Sequence, residues 1–392
     1  MPHWTIIVLP SNPKRFRYPM SKRKNYSRWI TLVVSLLVGA AIGVFLMEFI
    51  GQLTKGTTHN NLYPLWALLI FFASFFVQII IHEAGHLVFG AISGYRFVSF
   101  RILRLMLIRE NGKLKVRRYH IPGTGGQALM MPPEGVYSVP YVLYNLGGVL
   151  TNFIVSLGCL LLLFVCGITS FFPVVILATL AASGLLIALT NGIPMEISGV
   201  PNDGKNILTL KRDEYSRHVF WLMLQVNGLQ SSGTRMRDMP EEWFALPQQP
   251  HYGRYMHMYA ALLRAGWHMD RKELVQATEC LELIHPFASK LAMLYRYEWQ
   301  CEMLFCELMG QRRPNEVEAL YTKGLQKYVK KCERYQPGKK RLLYAFALLV
   351  EKDTAKAERL FAEAKRLSER SPNTGEAKSE LELMEWVREM AE

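Results

Sequence analysis

His82 and His86 stand four residues apart with Glu83 beside the first, in the run Ile81-His82-Glu83-Ala84-Gly85-His86. On a helix, residues four apart share one face, so both imidazoles can reach a single metal ion while the neighbouring carboxylate takes a proton from water. The H-E-x-x-H spacing therefore predicts a Zn2+ site with Glu83 as general base. In a soluble helix the same five residues read as readily as two surface histidines. Here they lie in Tyr63–Ile92, an apolar run, where three ionisable groups are costly unless they face a cavity, a partner or a metal.

A zinc site that retains an open position needs a third protein ligand. Residues 1–200 contain no aspartate and only Glu48, Glu83, Glu110, Glu134 and Glu196. Glu48 falls at the outer end of the first apolar run. Glu110 lies 24 residues past His86, a spacing a soluble zinc peptidase could use, but it adjoins an Asn111-Gly112 turn and is expected to be solvated. Glu196 and Asp203, the first aspartate of the chain, both follow the last apolar run. Asp203 also reads as a turn or N-cap residue ahead of Lys205-Asn206-Ile207.

The elements that must carry these residues are membrane spans. Ile30–Ile50, Tyr63–Ile92, Tyr141–Cys166 and Phe171–Ile193 are each long enough to cross about 30 Å of hydrocarbon. The first follows a basic stretch from Lys14 to Arg28, and it is too long for the core of a cleaved signal. Residues 1–200 hold 16 Lys+Arg against five acids, while 201–392 hold 30 against 27, so the positive excess sits in the apolar half. Lys and Arg interrupted by long uncharged runs suit a membrane protein, and nucleic-acid binding is not expected. Seven basic residues precede the first span, one lies in the next loop, eight lie in Ser93–Val139, and none lies between the last two spans. This predicts a multi-pass protein of the cell membrane, with the lipid bilayer as a partner and both termini cytoplasmic.

Within the basic loop, Phe97–Ile108 and Lys113–Ile121 read as two strands of a hairpin around Asn111-Gly112. Pro122 to Gln127 reads as a flexible loop, and Ala128 to Pro133 as an apolar dip too short to span. The hairpin and the loop could hold an extended substrate segment by strand addition, or lie against lipid headgroups.

Taken together, the residues resemble the site-2 protease family of intramembrane zinc metalloproteases. That family joins H-E-x-x-H on one span to an N-x-x-P…D-G motif on a later one, matched here in order by Asn191, Pro194, Asp203 and Gly204. Asn145-Leu146-Gly147-Gly148-Val149-Leu150-Thr151-Asn152 is similar to its small-residue pattern on the intervening helix. The resemblance covers roughly residues 63–210. It implies Zn2+ bound by His82, His86 and Asp203, Glu83 as base, and Asn191 hydrogen-bonding the substrate or the oxyanion. Eight residues separate Pro194 from Asp203, more than in many members, which leaves Glu196 as a rival ligand.

The fold class expected is mainly α: about four transmembrane helices with a β-hairpin insertion, then a soluble, solenoid-like helical domain. The boundaries are a basic cytoplasmic N-terminus at 1–29, a membrane-embedded metalloprotease domain at 30–228, a linker at 229–250, and a helical repeat-like domain at 251–392. That last domain reads as helices near 252–267, 271–284, 288–310, 315–333, 338–351, 354–370 and 373–390. It resembles a tetratricopeptide-type array loosely, with a concave surface for a cytoplasmic protein partner. The six cysteines show neither a disulfide framework nor zinc-ligand spacing. The reading that follows is an intramembrane zinc endopeptidase of a bacterial cytoplasmic membrane, cutting a membrane-protein or membrane-associated peptide substrate. Its alternative is a catalytically idle membrane scaffold with a helical partner-binding tail.

Overall fold

The computed structural model describes residues 26–55, 61–110, 112–119, 125–133, 140–197 and 199–391. The chain is mainly helical with one small antiparallel sheet. Its apolar half contains α1 (Tyr26–Leu53), α2 (Tyr63–Ile92), α3 (Tyr141–Val165) and α4 (Phe171–Gly192). By length and composition α2, α3 and α4 could each cross a membrane; the apolar part of α1 among the described side chains is Gly39–Leu53. The basic segment from Lys14 to Lys24 lies outside the described residues.

The outward faces of these helices are apolar, with Phe72, Leu161, Phe164 and Val165 exposed. Their shared interior is not. Ser74 meets Thr179 at 2.9 Å, and Gln78 Nε2 donates to the Leu180 carbonyl at 2.9 Å, each satisfied inside the bundle. Close approach depends on small residues: a Cβ on Gly85 would strike the Gly147 carbonyl, so α2 and α3 touch backbone to backbone. The result is a polar seam through apolar helices that leads toward His82.

Between α2 and α3 the chain forms β1 (Arg96–Ile102), β2 (Leu105–Glu110), β3 (Lys113–Arg118) and β4 (Gly126–Met131), in the antiparallel order β3-β2-β1-β4. The expected single strand 97–108 is in fact two. The chain reverses at Leu103, which adopts φ 52°, and Ile102 pairs with Leu105. The second difference is β4: the residues read as an apolar dip hydrogen-bond to β1 in register Phe100↔Ala128 and Ile102↔Gly126. Gly112 has the positive φ that the tight turn requires, at 77°, while Asn111 lies outside the described residues.

After α4, a short hairpin of β5 (Glu196–Ile197) and β6 (Val200–Pro201) leads into α5 (Asp203–Arg212) and α6 (Glu214–Ser231). The remaining helices are α7 (Tyr255–Asp270), α8 (Leu274–Glu282), α9 (Met293–Met309), α10 (Pro314–Leu320), α11 (Lys323–Cys332), α12 (Pro337–Phe346), α13 (Thr354–Ser368) and α14 (Thr374–Glu389). The expected helix 315–333 is broken in two, because the Thr322 hydroxyl accepts from Leu325 N and caps a new start.

Segment 229–250, read as a linker, is packed. It holds two turns of 3-10 helix, Met236–Asp238 and Glu241–Phe244, and buries Met239 and Phe244. These side chains join one apolar cluster with Tyr95 and Met130 from the sheet region, Tyr144 from α3, and Trp221 and Trp267. The membrane-like half and the C-terminal helices therefore share a core. All six cysteines are unpaired.

Candidate metal centre

The last turns of α2, the middle of α3 and the first residue of α5 meet at one point. His82 Nε2 lies 3.2 Å from Asp203 Oδ2, His86 Nε2 lies 3.5 Å from the same oxygen, and the two Nε2 atoms are 3.2 Å apart. Three ligand atoms placed tetrahedrally around zinc, with bonds of about 2.0–2.1 Å, would be separated by about 3.3 Å. The observed triangle has that size.

The hydrogen bonds behind the rings assign their tautomers. His86 Nδ1 is 2.7 Å from the Tyr144 carbonyl, which can only accept, so Nδ1 carries the proton. Asn152 Nδ2 donates to the Gln78 carbonyl at 2.9 Å and to Gln78 Oε1 at 2.7 Å, which turns Asn152 Oδ1 toward His82 Nδ1 at 2.7 Å as acceptor. In the neutral rings both Nε2 atoms then present lone pairs toward a carboxylate oxygen that is itself buried without a hydrogen-bond partner. Three electron pairs at this spacing repel unless a cation lies among them. The donor set, two imidazoles and a carboxylate with a fixed outer layer, suits zinc and leaves a fourth position for water.

Glycine makes the room. A Cβ on Gly148 would lie 2.5 Å from His82 Cε1 and 2.7 Å from its Nε2, so α3 can carry no side chain opposite the ring. A Cβ on Gly204 would strike the Gly192 carbonyl, so α5 starts hard against the end of α4. Asn202 fixes that break: its Oδ1 accepts from Lys205 N at 2.9 Å and Met195 N at 3.1 Å, and its Nδ2 donates to the Thr190 and Ile193 carbonyls at 2.7 Å each. Asp203 is thereby held at the first turn of a capped helix.

Glu83 lies beside the triangle and against the sheet. Its carboxylate accepts from the Ala128 backbone, and a Cβ on Gly126 would come within 2.6 Å of its Cγ. The Ala128 carbonyl accepts from the Tyr144 hydroxyl at 3.1 Å, so the outer edge of β4 faces the centre. Arg101, fully buried on β1, donates to the Leu103 carbonyl at 2.9 Å and lies within electrostatic reach of Glu83.

The other carboxylates stand apart. Glu110 is buried, not solvated as its turn position suggested: Arg117 grips both its oxygens, Lys115 adds a contact at 3.0 Å, and the Arg117 guanidinium holds its carboxyl below the usual range. Glu196 is exposed on β5, 3.5 Å from Lys205. Asp203 is the candidate whose oxygen meets both histidines. Asn191 is placed on the last turn of α4, where its amide donates to Ile187 of its own helix at 3.0 Å. The sequence reading missed the parts of Gln78, Tyr144 and Asn202; for Asn202, a helix-capping type directly before Asp203 was the available signal.

Comparison with known proteins finds no matching family model, curated protein or solved structure.

Proposed function

We propose that the chain is a zinc-dependent intramembrane endopeptidase of the site-2 protease kind, acting on peptide bonds in or near a transmembrane segment of another protein. The observation that carries this reading is the convergence of His82 Nε2, His86 Nε2 and Asp203 Oδ2, backed by fixed tautomers, with Glu83 alongside. In this reading α1 is a fourth span, both termini are cytoplasmic, and the membrane is that of a bacterial cell. The C-terminal helices act as a repeat-like array that recruits or regulates.

Bound zinc supplies Lewis-acid polarisation of the scissile carbonyl and brings the pKa of water down to about 7. His82, His86 and Asp203 hold it, and Asn152 and Tyr144 keep the imidazoles aimed. Glu83 accepts the proton of the attacking water as the new C–O bond forms, then returns it to the departing nitrogen as the C–N bond breaks. A substrate helix must be unwound first, because its peptide bonds are shielded by their own ladder. β4 is an edge strand beside Glu83, where an extended segment would add to the sheet in exchange for the contacts Ala128 makes to Glu83 and Tyr144. Asn191 stands on the last turn of α4 with its amide donating to the Ile187 carbonyl, and its assignment to the substrate or the oxyanion is part of this proposal.

The test is cleavage of a labelled transmembrane peptide in vesicles containing the purified chain, together with zinc per chain. About one zinc in the wild type, loss of zinc in Asp203→Ala, and retained zinc without cleavage in Glu83→Gln are expected. Full zinc in Asp203→Ala would sink the ligand set. Zinc bound without any Glu83-dependent cleavage would favour the idle scaffold.

A further inference from the structure

Beside α5, away from the histidines, a cleft of about 410 Å³ gathers four basic side chains from three separate elements. Lys205 and Arg212 come from α5, Arg254 precedes α7, and Lys290 ends the 3-10 turn His285–Lys290. Only two carboxylates, Glu196 and Asp213, line the same space. Glu196 lies 3.5 Å from Lys205, a solvent-screened distance. Asp213 lies 3.5 Å from Arg254 but is already committed, accepting from Tyr215 N at 3.1 Å and Ser216 Oγ at 2.7 Å and meeting His257 Nε2 at 2.8 Å. Arg212 and Lys290 have no ion pair among the described residues. Two positive charges in one concave space are left uncompensated.

We propose that this cleft binds a phosphate-bearing anion. Four cations line one concave space against two carboxylates and give it a net positive field, and Lys and Arg are the side chains that hold phosphate by charge-assisted hydrogen bonds. The cleft also lies close to the end of a span. Glu196 is four residues past Gly192, so at no more than about 3.6 Å per residue it stands within about 14 Å of the last turn of α4. That is the depth at which an anionic lipid presents its headgroup, and a soluble phosphate compound would meet the same groups from the water side. Only the lipid source rests on the membrane reading; the anion site does not. An anion spanning Lys205 and Lys290 would tie the helix that begins with Asp203 to the C-terminal helices.

The test uses the full chain in uncharged detergent, titrated with short-chain phosphatidylglycerol, with glycerol 3-phosphate, and with short-chain phosphatidylcholine as the zwitterionic control. Saturable binding of phosphatidylglycerol is expected to weaken at least about tenfold in Arg254→Ala/Lys290→Ala. The single variant Lys290→Glu should weaken it in the same direction, and Lys323→Ala/Lys327→Ala, on α11, should leave it unchanged. Glycerol 3-phosphate binding as tightly as the lipid assigns the site to a soluble phosphate, and preference for the lipid assigns it to a headgroup. No saturable binding of either probe, or equal loss in the α11 control, overturns the proposal. Zinc per chain in the cleft variants should equal wild type, which separates failure of this site from failure of the metal centre.

Discussion

Asn152 on α3 lies 2.7 Å from the back of the His82 ring on α2, while its own amide is anchored twice on Gln78. One helix thus sets the tautomer of a candidate ligand on another. Outer groups of this kind are worth about 10–100-fold in metal affinity. Asn152→Leu is expected to fold and to bind zinc more weakly by that factor, read from competition with a chelator of known affinity. Unchanged affinity would show that the ring is oriented by something else.

Gly148 and Gly158 lie on the same helix and make opposite forecasts. A methyl at 148 collides with the His82 ring at 2.5 Å, whereas nothing lies within 4 Å of one at 158. Gly148→Ala should lose most of its zinc, and Gly158→Ala should keep it. Zinc per chain in the two purified variants decides the matter.

Glu110 makes a pH-dependent contribution. Its partner Arg117 keeps the folded carboxyl below the usual 4.5, so the folded state prefers the charged form. Its stabilisation is present above pH 4.5 and is lost as pH falls through the folded value. Glu110→Gln should cost roughly 1 kcal/mol at pH 7 because both basic partners are part-exposed, and the difference in melting temperature should vanish in acid. It should leave zinc binding intact.

Asp270 bears on how the C-terminal helices are held. It is buried, accepts from Arg235 and Ser379, and takes the Arg237 backbone N–H at 3.0 Å, while Arg235 also pairs with Glu382 on α14. Removing Asp270 takes from the buried Arg235 guanidinium one of its two carboxylates and leaves Ser379 and the Arg237 N–H without their acceptor. Asp270→Ala should destabilise the protein by about 3 kcal/mol, measured by denaturant unfolding, and more than Asp238→Ala at the exposed neighbouring pair.

The histidine pair was legible because helical spacing alone puts residues 82 and 86 on one face, and α2 keeps that spacing. Asp203 stood beside Glu196 as an acid after the last apolar run, the family resemblance preferred it, and the geometry brings its oxygen to both rings. What escaped was set by tertiary partners. Gly126 to Met131 lacks alternation and follows glycines, so nothing local marks it as a strand; β1 makes it one. Glu110 read as a turn residue because its partners Lys115 and Arg117 lie further along β3 and not opposite it in register, where Lys113 stands. Segment 229–250 is rich in turn residues, yet Phe244 and Met239 lock it into a core whose other members are far away in the chain.

The three converging atoms come from α2 and from α5, which are separated by the sheet, α3 and α4. No piece of the chain shorter than residues 82–203 contains all three. Until α5 has docked against the end of α4, the histidines have no Asp203 oxygen to meet. Closure of the candidate ligand set thus depends on contacts made across the whole of residues 82–203, and a chain cut before Asp203 carries both histidines without its carboxylate.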